Sequence, residues 1–149
     1  MKLRLSTTRF ALVLLAGAVL AVSMSAAEKK GNLRAEKECS QYHGLPWEFC
    51  TFTSSDFGPI TSGTKVYYTQ AANLQVGFLD TNVVLDSGQG NRALGRCTVD
   101  MTTATGLCTF SDGTGQFAGF QARINVTYLG GPSWRWDGTY SFDHDSNRN

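Results

Sequence analysis

From Ala118 onward the chain alternates between apolar and polar residues. Phe120, Ala122, Ile124, Val126 and Tyr128 share one face, and Gly119, Gln121, Arg123, Asn125 and Thr127 the other. A period of two is the mark of a half-buried β-strand, because successive side chains leave a sheet on opposite sides. Trp134, Trp136, Gly138, Tyr140 and Phe142 repeat the pattern, and Gly130-Gly131-Pro132 between the two runs reads as a turn. The two runs are expected to pair antiparallel and to turn their large apolar residues toward one interior. Upstream, Phe49–Ser54, Thr64–Gln70 and Val76–Leu85 are rich in aromatic and β-branched residues, with turn-like breaks at Asp56–Pro59 and Asp86–Asn91. Beyond the first residues no clean helical stripe is present. Strands at this spacing predict an all-β domain, an antiparallel barrel or a sandwich.

The N-terminal segment is of a different kind. Lys2, Arg4 and Arg9 precede an apolar run from Phe10 to Val22, and small residues follow at Ser23, Ser25, Ala26 and Ala27. This is the pattern of an export signal over residues 1–27, and the run is shorter than the ~20 residues a membrane anchor needs. The expected product is exported, to the periplasm or beyond the cell, with no stable membrane anchor. Residues 28–38 are polar and highly charged and read as a flexible leader, which leaves 39–149 as a single domain. All 12 acidic residues but only ten of the 13 basic ones lie after residue 27, a net charge of −2. That balance gives no electrostatic reason to bind nucleic acid.

Four cysteines suit an oxidising compartment. They allow three connectivities. A hairpin of Ala93–Met101 with Ala104–Phe110 would set Cys97 opposite Cys108, at the ~4.5–5.5 Å of directly opposed residues. That pairing is favoured, leaving Cys39 with Cys50. A zinc site is not expected, since there is no CxxC and His43 and His144 stand near the two ends of the mature chain. No cofactor is expected either.

Gly113-Thr114-Gly115-Gln116-Phe117-Ala118 fits the GxGxxA dinucleotide pattern by letter alone. That fingerprint needs a helix after it to receive the pyrophosphate, and here an alternating strand follows. It also lacks the Gly-Lys-Ser/Thr of a phosphate-binding P-loop. The segment reads instead as a tight turn between strands. Extended to Asp112–Gly119, it resembles the GGTGxFxG segment of the allene oxide cyclase and dirigent barrel families. Asp56-x-Gly58, Thr81-Asn82, Gly95-Arg96-Cys97 and the last aromatic strand are similar to plant allene oxide cyclase in the same order. The likeness spans about residues 48–142 and extends to small exported bacterial barrels of the same class. It implies an antiparallel eight-stranded β-barrel, lipocalin-like in shape, with an elongated apolar cavity.

The chemistry implied by that resemblance is thinner than the fold. Thr51 falls where the cyclases carry a strand-borne glutamate, and Thr53 where they carry one water-holding asparagine. Asn82 keeps the other asparagine, and Cys97 takes the place of a pocket cysteine. Without the carboxylate, the electrostatic work of the cyclase reaction has no carrier. Asp80 and Asp100 are the nearest counterparts of the dirigent cavity aspartates. On Val76–Leu85, Phe78, Asp80, Asn82 and Val84 share one face, and Leu79, Thr81, Val83 and Leu85 the other. An inward first face would place Asp80 and Asn82 in the barrel as candidate catalytic residues. The second face is the cleaner apolar one. Two functions follow. The favoured one is a binding module holding a small hydrophobic ligand, with Tyr67, Tyr68, Asn82, Phe120, Trp134, Trp136 and Tyr140 as candidate ligand-binding residues. The alternative is an isomerase or cyclase that uses Asn82 and Asp80. A third reading treats the barrel as a secreted scaffold for interactions, its aromatics merely filling the interior.

Overall fold

In a computed structural model, which describes residues 29–143, the chain forms eight antiparallel strands closed into a barrel. The strands are β1 (Lys29–Glu38), β2 (Phe49–Ser55), β3 (Lys65–Tyr68), β4 (Phe78–Asp86), β5 (Arg92–Asp100), β6 (Thr105–Thr114), β7 (Phe120–Gly130) and β8 (Ser133–Phe142). Each pairs with the next in sequence, and β1 closes the ring on β8 in a continuous register from Lys29↔Phe142 to Glu38↔Ser133. The glycine segment is indeed a connection between strands, a single 3-10 turn over Gly115–Phe117. Gly115 has φ +60°, and a Cβ there would meet Asn91 Oδ1 at 2.2 Å. That same Asn91 oxygen accepts the Gln116 N–H at 2.9 Å and fastens the turn to the β4–β5 connection. The export signal and His144 lie outside the described residues.

One expectation is corrected at once. Residues 28–38, read as a flexible leader, contain strand β1, and the barrel therefore starts at Lys29 rather than near Cys39. Leu33, Ala35 and Lys37 point inward, while Asn32, Arg34 and Glu36 face water. The alternation was hidden because one of its inward positions is a lysine. Val76–Leu85 is settled too: Leu79, Thr81, Val83 and Leu85 are buried, and Phe78, Asp80 and Asn82 are exposed.

Calling the end with the β2–β3 and β4–β5 connections upper, and the end with the β1–β2 and β3–β4 connections lower, the core is unevenly filled. The upper half is packed with aromatic rings. Phe57, from the β2–β3 connection, lies 4.4 Å from the Tyr140 ring and 5.4 Å from Phe120, centroid to centroid. Phe117, Phe120 and Phe142 complete this plug, and Trp136 spans the middle with Phe52 edge-on to it at 4.9 Å. A narrow barrel filled by its own side chains leaves no elongated channel.

Both disulfides are present, Cys39–Cys50 with Cα atoms 4.3 Å apart and Cys97–Cys108 at 4.1 Å. Cys97 and Cys108 are direct partners across β5 and β6, as the hairpin predicts. Two disulfides accord with an oxidising environment. Outside, the sheet carries exposed ion pairs such as Arg34–Asp137 and Arg92–Asp86. No helix among the described residues is long and apolar enough to cross a membrane.

Candidate functional site

The lower half of the interior holds what the sequence did not suggest. Lys37 points into the barrel and is 3 % exposed. The register explains its place: Lys37 lies opposite Trp134 of β8, two residues after inward Ala35, beside a bulge that shifts the β1–β2 pairing. Its Nζ is hydrogen-bonded to the Tyr68 hydroxyl and stands 5.1 Å from the Tyr68 ring centroid and 4.9 Å from that of Trp136. Among the described residues, no carboxylate is in ion-pair reach of it. Burial without a counter-charge penalises the ammonium form, and the amine's pKa is pushed down to about 7.

A cavity of ≈ 40 Å³ adjoins this lysine. Leu79, Val99 and Val126 give it an apolar wall, the Cys39–Cys50 disulfide closes one side, and Tyr42, Tyr68 and Trp134 supply the aromatic faces. The space suffices for roughly two or three water molecules or a group of a few heavy atoms. The Tyr42 ring leans on Tyr68 at 4.6 Å, and its buried hydroxyl has no hydrogen-bond partner. Burial, and secondarily Glu48, hold that phenol up at about 12, so it keeps its proton at neutral pH. Tyr68 is raised further for the same first reason. Among the described residues, two phenols and an amine are thus the only titratable groups lining the cavity.

The β1–β2 connection that brings Tyr42 in is held by one carboxylate. Glu48 Oε2 accepts the backbone N–H of His43 at 2.6 Å and of Leu45 at 3.0 Å, which keeps the Glu48 pKa below its usual range, with the Leu45 bond first among the causes. His43 is bound to the same carboxylate through Nδ1 and is otherwise exposed. Around this end the surface is unusually apolar. Leu45, Trp47, Leu74 and Val76 are each about 60 % exposed on the β1–β2 and β3–β4 connections. Trp47 adopts φ +66°, which a bulky aromatic rarely does.

The residues expected from sequence are dispersed. Asp80 and Asn82 stand on the outer face, where Arg96 donates to both, at 2.6 Å and 3.3 Å. The Arg96 hydrogen bond holds Asp80 below the usual carboxylate range. Neither reaches the interior, because β4 spends its inward positions on Leu79, Thr81, Val83 and Leu85. Asp100 is also outside, accepting the N–H and hydroxyl of Thr102 in the β5–β6 turn. Thr51 and Thr53 alternate outward with buried Cys50 and Phe52. Tyr67 packs on Phe49 on the outer surface. Phe120 and Trp136 belong to the packed core, and Tyr140 to its upper end. Only Tyr68 and Trp134 meet at the lower cavity. Larger depressions of ≈ 550 and ≈ 670 Å³ are open grooves along the outer sheet.

No family model, curated protein or solved structure matches the chain.

Proposed function

We propose that this is an exported binding protein whose site is the lower cavity, taking a small, mainly apolar molecule beside Lys37. The observation that carries it is a buried amine with no counter-charge, set against an apolar cavity and a buried unpartnered phenol. An unpaired buried cation is costly, and an unsatisfied buried hydroxyl adds to the cost. Barrels that exist only to be packed have no need of either. Strand number, the neighbour-to-neighbour strand order and the Asp112–Gly119 turn support kinship with the allene oxide cyclase and dirigent barrels that the sequence resembles. The packed upper half argues for a ligand of a few heavy atoms instead of the long apolar one such kinship implies.

The test is intrinsic fluorescence, since Trp134 lines the cavity. Titration with short alcohols of two to six carbons gives a saturable change that is strongest for the shorter members. Val99→Phe, which fills the cavity, abolishes it. A linear response shared by wild type and Val99→Phe contradicts the proposal. The exposed Leu45, Trp47, Leu74 and Val76 favour a second reading, an interaction protein with the barrel as scaffold. In that case the alcohols fail to saturate.

A further inference from the structure

We infer that Lys37 is a covalent acceptor for short aliphatic aldehydes, which it captures as an imine inside the lower cavity. The inference rests on that cavity being the ligand site and adds the chemical class of the ligand. The geometry supplies the parts that imine formation needs. Among the described residues the amine is the only cationic side chain lining the cavity, and its neighbours Leu79, Val99 and Val126 would receive a short alkyl chain. The cavity takes a carbonyl and a few methylenes, and little more. The Tyr68 hydroxyl, hydrogen-bonded to Nζ, is placed to pass protons.

The step balances without any further reactant. The unprotonated Nζ forms a bond to the carbonyl carbon, and a proton leaves nitrogen for the carbonyl oxygen by way of Tyr68. In the resulting carbinolamine the C–N bond becomes double as the C–O bond breaks, the remaining N–H proton passes to the departing hydroxyl, and water and the imine remain. Addition requires the neutral amine. A pKa of about 7 supplies it at neutral pH, whereas an exposed lysine is only about 0.04 % neutral there. The titratable groups facing Lys37 are Tyr42 from the β1–β2 connection and Tyr68 from β3, both held protonated, and β4, β5, β7 and β8 present Leu79, Val99, Val126 and Trp134. Among the described residues, nothing charged opposes the neutral form.

The experiment exposes the disulfide-bonded protein to butanal and sodium cyanoborohydride at pH 7 and maps the reduced adducts by peptide mass spectrometry. Lys29, Lys30 and Lys65 in the same molecule serve as internal references, so the result does not depend on a variant that folds. Lys37 is expected to be labelled at least about tenfold faster than these, the advantage shrinking toward pH 10 as ordinary lysines lose their protons. Lys37→Met removes the fast adduct alone. Labelling of Lys37 no faster than that of the references overturns the inference. A parallel titration with butan-1-ol, which has the same chain but no carbonyl, separates the two claims. Saturable butanol binding without fast labelling overturns imine capture and leaves the binding site standing. Failure of both overturns the site as well.

Discussion

Lys37 reaches diagonally across the β1–β8 seam that closes the barrel to Trp136, the partner of Ala35, and its nitrogen stands 4.9 Å from the centre of the indole. A ring face is a partial substitute for a counter-ion, worth ~2 kcal/mol when desolvated. It does not replace the hydration that burial removes. The lysine is thus a position where the fold gives up stability.

That loss is measurable through pH. The folded-state pKa, about 7, lies below the ordinary 10.5, so between these values the unfolded chain binds the additional proton. Stability then rises with pH, by about 3 kcal/mol between pH 7 and 9.5 on the two-pKa linkage relation. Above pH 10 the raised phenols of Tyr42 and Tyr68 act in the opposite sense, so the window ends there. Denaturant melts of wild type show the rise. Lys37→Met shows a flat profile and is the more stable protein at pH 7, by about 2–4 kcal/mol.

The two disulfides have different work to do. Cys97–Cys108 ties neighbouring strands that are already hydrogen-bonded, whereas Cys39–Cys50 anchors the connection that carries Tyr42 over the cavity. Removing either pair costs about 2–4 kcal/mol by loop closure. Only loss of Cys39 and Cys50 also removes the saturable fluorescence response to short alcohols. Thermal melts and titrations of the two double serine variants make the comparison.

Gly138 lies on β8 where a Cβ would sit 2.1 Å from the Arg123 carbonyl oxygen of β7. That oxygen, and the Ile124 Cα at 2.7 Å, belong to backbone paired along β7 and β8, so neither can give way cheaply. Gly138→Ala is expected to cost about 2–3 kcal/mol, as overpacking does, read as a fall in the denaturant midpoint.

Asp80 and Asn82 provide the opposite control. Both are exposed, and their contact with Arg96 is a surface interaction. Asp80→Ala and Asn82→Ala are each expected to change stability by no more than about 0.5 kcal/mol and to leave the alcohol response unaltered. A loss of binding in either would contradict the outward register of β4.

Most of the strand pattern was legible because the barrel is sided: wherever inward residues are apolar and outward ones polar, period two survives in the sequence. β7 and β8 follow that rule and pair as neighbours, except that Tyr128, read on the inward face, is exposed at the lower end, and Cys97 stands opposite Cys108 as the hairpin predicts. β1 does not follow it. Gly31 and Lys37 occupy inward positions, so the strand looked like a charged leader. The same residue that hid the strand is the center of the candidate site, which is why the site was not legible either. Aromatic residues misled in another way. Tyr67, Tyr68, Trp134 and Tyr140 look alike in composition, and only the register separates outer face, cavity and plug. On β4 the cleaner apolar face, Leu79 to Leu85, is the buried one, so there periodicity pointed the right way and Asp80 and Asn82 are outside.

The most direct measurement is methyl NMR of protein labelled at Ile, Leu, Val and Met, titrated with butan-1-ol. Saturable shifts are expected at Leu79, Val99, Met101 and Val126, which line the lower cavity, and none at Ile60 in the upper half. Shifts centred on Ile60, or small linear shifts spread over all methyls, would contradict binding there.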